Sequence, residues 1–190
     1  LFHLLYPLAE DISALNVFRY LTFRSGGAVM TSLLLSFIFG PSLIRMLKSR
    51  QHGGQPIRDD GPESHLLTKR GTPTMGGFLI LLAMTVSTLL WADLTNGFVW
   101  AALIVTISYG AIGFLDDYRK VIYRNSKGLP GRTKLILQLM IAASAAFWIT
   151  TLSPEPLQYK LALPFFKNLL LDFGPAFIAL AALVIVGASN

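Results

Sequence analysis

The stretch SGGAVMTSLLLSFIFGPSLI, residues 25–44, contains no Asp, Glu, Lys or Arg. A helix needs roughly 20 apolar residues, each rising about 1.5 Å, to cross a hydrocarbon core of about 30 Å. Four further stretches of similar length lack these charged residues: 71–92, 94–115, 135–154 and 173–190. Only 14% of the chain is charged, against about 25% in soluble domains. We therefore predict an all-α, polytopic transmembrane protein with five spans in a single membrane domain.

Charge distribution predicts the orientation of these spans, which we place at about residues 25–44, 73–92, 98–115, 135–152 and 173–190. Twelve of the sixteen Lys and Arg residues lie in the two loops that join these spans, residues 45–72 and 116–134. Because cytoplasmic loops are enriched in Lys and Arg, we predict that both loops are cytoplasmic and the N-terminus is periplasmic. This distribution also argues against nucleic acid as the partner of a chain whose net charge is +6.

Three shorter segments have less defined predictions. Residues 16–24 mix aromatic residues with Arg and are expected at the outer membrane interface, and residues 91–97 are expected to form an external turn. Residues 153–172 contain prolines near the start and the middle, and they predict either a short hairpin or an interfacial helix. No basic flank follows the fifth span, so we expect the chain to be interrupted at residue 190.

The motif GFLDDYRK, residues 113–120, places Asp116 and Asp117 at the end of the third span. One interpretation is that these acids only mark where the helix leaves the membrane. However, carboxylates are disfavoured at the negative end of a helix dipole, and two adjacent carboxylates repel each other. Either a nearby basic side chain or Mg²⁺, which prefers one or two carboxylates together with phosphate oxygens, would relieve that repulsion. If the helix continues, Lys120 lies one turn beyond Asp116 and faces the same way.

The first basic loop contains a second group of polar residues, in IRDDGPESHLLTKRGTPTMGGF, residues 57–78. Thr72 or Thr74 could cap the second span, with Pro73 near its first turn. The same helix N-terminus, beside Lys69 and Arg70, could instead bind an anion. Asp59 and Asp60 are interpreted as residues of a solvated turn, and His65 as a solvated loop residue. His52, and His3 near the N-terminus, are assigned no role.

These features together favour phosphate chemistry on a lipid-borne substrate at the cytoplasmic membrane edge. A polyprenyl-lipid transporter would also need spans and a basic surface, but it is expected to place ionisable groups at mid-membrane. The predicted spans contain no Asp, Glu, Lys or Arg within their apolar stretches. The charge distribution therefore favours surface chemistry over translocation.

The segments RDDGPESHLLTKRGTPTMGG (58–77) and GFLDDYRK (113–120) resemble those of phospho-N-acetylmuramoyl-pentapeptide transferases, bacterial enzymes that make lipid I. Shorter similar segments occur in the same order, among them NVFRYLTFR (16–24) and VIVGASN (184–190). The related polyprenyl-phosphate N-acetylhexosamine-1-phosphate transferases share the two aspartates but not KRGTPTMGG. A non-catalytic membrane fragment is the further alternative.

The resemblance implies an inner-membrane homodimer with ten transmembrane helices and a cytoplasmic active site. Such enzymes transfer phospho-MurNAc-pentapeptide from UDP-MurNAc-pentapeptide to undecaprenyl phosphate, release UMP and require Mg²⁺. The family's principal metal ligand and its later motifs belong to a second half that these 190 residues lack. We therefore expect the present residues to correspond to the N-terminal half and to be inactive alone.

The family motifs also imply roles for individual residues. Asp116 matches the proposed base that deprotonates the lipid phosphate, and Asp117 matches an aspartate implicated in substrate or metal contact. The substrate-binding positions implied by the resemblance are Lys69, Thr74, Lys120 and Asn190. The assignment of Asp117 to Mg²⁺ follows from the resemblance, not from the spacing of the acidic residues.

Overall fold

The computed structural model of the chain describes residues 1–10, 12–51, 74–123, 128–163 and 166–189, and its regular structure is mainly helical. Two 3-10 helices, Phe2–Glu10 and Ser13–Arg19, precede the first α-helix. The described α-helices are α1 (Leu21–Arg50), α2 (Gly77–Trp91), α3 (Gly97–Ile122), α4 (Gly131–Leu152) and α5 (Ala176–Ser189).

Three of these helices, α1, α3 and α4, are long and apolar enough to cross a membrane. The other two, α2 and α5, are apolar but contain 15 and 14 residues, fewer than the roughly 17 to 25 of a typical span. The prediction of a mostly helical membrane protein is therefore confirmed. The number of five spans and the periplasmic N-terminus stay predictions.

Three of the helices extend beyond the apolar stretches that were used to place the predicted spans, and the limits of the cytoplasmic loops stay predictions. Helix α1 continues through residues 45–50, α3 continues through residues 116–122, and α4 begins at Gly131. Charge shows where a helix meets water, not where it ends. Lys and Arg are good helix formers, and they are favoured in the last helical turn because they interact with the negative end of the helix dipole.

A β-hairpin interrupts the helical architecture between α4 and α5. Strands β1 (Lys160–Leu163) and β2 (Phe166–Asp172) pair antiparallel, with Lys160 opposite Asp172. The hairpin corrects the all-α prediction, and it selects one of the two structures predicted for residues 153–172. Pro164 has no backbone N–H, which disfavours the alternative of a continuous helix.

Contacts divide the chain into two compact units, one of residues 1–96 and 110–129 and one of residues 97–109 and 130–190. In the first unit, α1 packs on α2 through glycines. A Cβ atom at Gly27 would overlap the ring of Trp91, and one at Gly40 would lie 3.5 Å from Leu79. Small residues of this kind let membrane helices approach closely.

Aromatic rings surround Trp91 at the end of α2. The centroids of Phe2, Phe23 and Phe18 lie 4.7, 5.9 and 6.0 Å from that of Trp91. The indole Nε1–H donates a hydrogen bond of 2.9 Å to Thr31 Oγ1 on α1. The aromatic contacts of Phe2 and Phe18 therefore attach the 3-10 helices to Trp91, and the hydrogen bond joins α2 to α1.

The predicted turn lies between α2 and α3, and its external position stays a prediction. Asp93 Oδ1 accepts hydrogen bonds from the backbone N–H and the hydroxyl of Thr95, at 3.0 and 2.7 Å. His3, which had no predicted partner, places Nδ1 3.5 Å from the same carboxylate oxygen. A local side-chain bond of Asp to the backbone two residues on is a common turn signal.

In the second unit, α4 packs on α5 around Ala142, Ala182 and Val186, which are all buried. In the same unit, the hydroxyl of Tyr109 donates a 2.9 Å hydrogen bond to the carbonyl of Gln138, which lies one helical turn before Ala142. Alanines at this contact allow the two helices to pack through small side chains.

Candidate active site

The continuation of α3 beyond its apolar stretch brings Asp116, Asp117 and Lys120 together. The Lys120 Nζ lies 2.5 Å from Asp116 Oδ2 and 3.4 Å from Asp117 Oδ1. The side chains are partly exposed, at 20% for Asp116, 32% for Asp117 and 27% for Lys120. The prediction that Lys120 faces the same way as Asp116 is confirmed. One ammonium group therefore offsets the repulsion between two adjacent carboxylates.

A tight turn after α3 holds the second oxygen of Asp116. The backbone N–H of Leu129 donates a 2.7 Å hydrogen bond to Asp116 Oδ1. The preceding Gly128 has φ of +56°, and a Cβ atom there would overlap Asp116 Oδ1 and lie 2.8 Å from Lys120 Cε. Glycine is therefore required both by the left-handed backbone and by the close approach of the acidic pair.

Thr74 contacts the other carboxylate from the segment that precedes α2. Its hydroxyl donates a 2.7 Å hydrogen bond to Asp117 Oδ2. The N-cap residue of α2 is Gly76, which makes no side-chain capping bond, so the capping interpretation of Thr74 is wrong. Met75, with φ of +71°, turns the backbone between Thr74 and the helix. Thr74 consequently lies outside the capping position and is free to bind Asp117.

Gln51 is a site residue that the sequence patterns did not reveal. It is the C-cap residue of α1, and its side-chain Oε1 accepts the N–H of Thr74 at 2.9 Å. Its Nε2 donates to the carbonyl oxygen of Thr74 at 3.2 Å. Only 7% of Gln51 is exposed. Because its partner is 23 residues away in sequence, no local motif or periodicity could have identified this pair.

A cavity of about 370 Å³ adjoins the acidic pair, between the first turns of α2 and the second half of α3. Asp116 and Asp117 contribute charged groups, whereas Phe78, Ile80 and Phe114 contribute apolar surface. Gly113 also lines the cavity, and a Cβ atom there would meet nothing within 4 Å. The site therefore combines a charged cluster with open apolar space, as a small-molecule site commonly does.

Two of the six predicted site residues, Lys69 and Asn190, lie outside the described residues, as do Asp59, Asp60, His52, His65 and Thr72. The structure thus brings together four of the predicted residues: Thr74, Asp116, Asp117 and Lys120. In the part of the chain that the structure describes, no group of three or more His, Cys, Asp or Glu residues could hold a metal. The roles assigned to all six residues stay predictions.

Comparisons with known proteins first define the class. The family described as Glycosyl transferase family 4 matches residues 99–190, which include the helix with the acidic pair. The description Phospho-N-acetylmuramoyl-pentapeptide-transferase signature 1 matches residues 69–81, which include Thr74. The two matches therefore fall on the segments that contribute Thr74 and the acidic pair to the site.

Three similar proteins are named phospho-N-acetylmuramoyl-pentapeptide-transferase. The protein of Granulibacter bethesdensis is 59% identical over 190 residues, which are 100% of this chain and 52% of the relative. Those of Maricaulis maris and Dinoroseobacter shibae are 49% and 51% identical, over 100% and 96% of this chain and 53% and 51% of the relatives. The chain is thus similar to proteins of this name over nearly all of its own residues, and it spans about half the length of these relatives.

Proposed function

We propose that the full-length protein containing this chain transfers phospho-MurNAc-pentapeptide from UDP-MurNAc-pentapeptide to undecaprenyl phosphate, which yields lipid I and UMP. The observation that supports this function best is the cluster of Asp116, Asp117 and Lys120 beside an apolar cavity. A lipid-borne phosphate requires both features, because its head is anionic and its chain is apolar. The names of the similar proteins support the specific substrates.

The proposed reaction is a displacement at the phosphorus that carries the sugar. An oxygen of the lipid phosphate forms a bond to this phosphorus, and the bond from phosphorus to the bridging oxygen of UMP breaks. UMP leaves with that electron pair. Lys120 would neutralise charge on the phosphate oxygens, which is the main contribution that a protein makes to such a step.

The two carboxylates have different proposed roles. Asp116 already binds Lys120 and the N–H of Leu129. We assign it to holding Lys120 and, as the family resemblance implies, to accepting any proton that remains on the lipid phosphate. Asp117 would contact the substrate or metal through Oδ1, whose contact to Lys120 is the longer one at 3.4 Å.

Mg²⁺ is the proposed cofactor, and the described residues fit it in part. Mg²⁺ commonly binds one or two carboxylates, with phosphate oxygens and water completing its coordination. Asp117 is the candidate ligand here, and the principal ligand is expected elsewhere in the full-length protein. When bound, the ion would supply positive charge to the pyrophosphate. Lys69, Thr74 and Asn190 are proposed to contact the nucleotide-sugar substrate.

The proposed arrangement in the membrane follows from the charged loops. Five spans in one membrane domain, with a periplasmic N-terminus, would put the basic segments 45–72 and 116–134 in the cytoplasm. The acidic pair would then face the cytoplasm, and the UDP-linked substrate would bind from that side. We further propose that the protein is a homodimer in the bacterial inner membrane.

The test is transfer of labelled UDP-MurNAc-pentapeptide to undecaprenyl phosphate by the full-length protein with Mg²⁺. Formation of lipid I with release of one UMP per lipid I would support the function. Formation of a lipid-linked N-acetylhexosamine from the corresponding UDP-sugar would indicate the related transferase instead. Movement of the lipid across a vesicle membrane without any UMP release would indicate a transporter.

A further inference from the structure

We propose that Gln51 is a positioning residue that holds Thr74 against Asp117 and thereby sets the geometry of the acidic pair. This inference rests on the proposed function, because it assigns Gln51 to the same phosphotransfer site. It concerns a residue at the end of α1 that carries neither a charge nor a reactive group. Its effect would be exerted through hydrogen bonds alone.

The contact between Gln51 and Thr74 is a paired hydrogen bond. The amide of Gln51 accepts from the N–H of Thr74 at 2.9 Å and donates to the carbonyl of the same residue at 3.2 Å. Two bonds to one residue fix both the position and the rotation of its backbone. Since Gln51 is only 7% exposed, water cannot readily replace either bond, and loss of one leaves a buried polar group unsatisfied.

The fixed backbone of Thr74 determines where its hydroxyl points. That hydroxyl donates to Asp117 Oδ2 at 2.7 Å, and Asp117 Oδ1 in turn lies 3.4 Å from Lys120 Nζ. A continuous series of contacts therefore joins the end of α1 to the charged cluster on α3. Displacement of a reacting group by about 1 Å can cost about 10²-fold in rate, so a loosened Thr74 should be visible in kcat.

The first experiment uses Gln51→Glu in the full-length protein. A protonated carboxyl, like an amide, can donate to the carbonyl of Thr74 and accept from its N–H, whereas an ionised carboxylate has no donor for that carbonyl. We therefore expect the ratio of variant to parent kcat to be close to one at low pH. The ratio should fall by about tenfold or more as the introduced carboxyl ionises. A ratio that is independent of pH would contradict the proposal.

The matched control is Gln158→Glu. The Nε2 of Gln158 also donates to a backbone carbonyl, that of Thr150 at 3.1 Å, but neither residue belongs to the site. Its ratio to the parent kcat should stay near one at every pH. An equal fall in both variants would mean that a general effect of added negative charge is being measured, and it would overturn the role of Gln51.

The second experiment asks whether Gln51 acts through Thr74. We expect Gln51→Met to lower kcat by about 10- to 100-fold in the parent and by less than about twofold in a Thr74→Val background, because contacts in one network are not additive. Equal effects in both backgrounds would show a purely structural role. Gln51→Met with unchanged kcat would also overturn the proposal.

Hydrogen exchange of the peptide that contains Thr74 separates this inference from the proposed function. Its amide should be protected in the parent and should lose protection in Gln51→Met, whichever reaction the protein catalyses. If the parent forms no lipid I but shows this loss, the proposed function fails and the paired contact stands. If the parent is active and Thr74 is unprotected, the contact is absent and only the inference fails.

Discussion

Asp116 and Asp117 have different partners, and the partners of Asp116 suggest a substitution that tests its role. Its two oxygens contact Lys120 and the N–H of Leu129. Asp116→Asn has the same shape and can still accept from Leu129, but it removes the charge that attracts Lys120. We expect kcat for lipid I formation to fall by about 10²- to 10³-fold, with little change in thermal stability.

The control for this substitution is Asp172→Asn at the end of β2. Asp172 Oδ1 likewise accepts a backbone N–H, that of Gly174 at 2.9 Å, and the hairpin contains no predicted site residue. Its kcat should be unchanged. Normal lipid I formation by Asp116→Asn would show that Asp116 is only a helix-end acid.

Gly128 offers a second test at the scale of one residue. Gly128→Ala would force a side chain into the left-handed region, at a cost of about 1 to 2 kcal/mol, and its Cβ would also overlap Asp116. Gly174→Ala is the matched control, because Gly174 has φ of +52° and nothing within 4 Å of its Cβ position. Thermal unfolding should show both variants destabilised, whereas only Gly128→Ala should lower kcat. Equal kcat values would mean that the turn does not support the acidic pair.

Residue chemistry was predictable where it depended on local spacing. The spacing of four residues between Asp116 and Lys120 predicted their contact correctly. Thr74 was predicted to cap the second span or, from the resemblance, to bind substrate; the position of Gly76 at the N-cap excluded capping, and the contact with Asp117 was not predicted. Gln51 could not be predicted, since its contact depends on how the chain folds between distant positions.

At the scale of elements, Gly27 is the glycine at which α1 approaches α2 too closely to admit a side chain. Gly27→Ala would place a methyl group in the ring of Trp91, and overpacking of this kind costs about 1 to 3 kcal/mol. Its neighbour Gly26 has nothing within 4 Å, so Gly26→Ala should stabilise the helix by about 0.5 to 1 kcal/mol. Thermal unfolding in detergent should therefore shift in opposite directions for the two variants. Equal shifts would mean that Trp91 moves aside.

Element boundaries were less predictable than element type. Charge-free windows located each apolar helix, but α1 and α3 extend beyond them by 6 and 7 residues, to Arg50 and Ile122. That extension matters for the site, because it places Asp116, Asp117 and Lys120 on one helix, where their side chains are neighbours. The apolar residues of 153–172 have neither a clear helical nor a clear strand periodicity, so only the structure could decide between a hairpin and a helix.

For the whole molecule, the predicted orientation can be tested by chemical labelling. This chain has no cysteine, so a single cysteine can be introduced into a full-length protein whose other cysteines have been replaced. We expect a membrane-impermeant thiol reagent to label Thr95→Cys in intact spheroplasts and to label Ser49→Cys only after permeabilisation. Both positions are exposed. The opposite pattern would place the N-terminus and the acidic pair on the reverse sides of the membrane.

The cavity beside Gly113 has a consequence for any compound that is designed to fill it. A chemist who extended an inhibitor into this space would be relying on a position where an added methyl group meets nothing within 4 Å. Replacement of a helical glycine by alanine also tends to stabilise a helix by about 0.5 to 1 kcal/mol. Gly113→Ala would therefore narrow the cavity and weaken the binding of such a compound without a penalty in folding, so a compound is better anchored on the acidic pair.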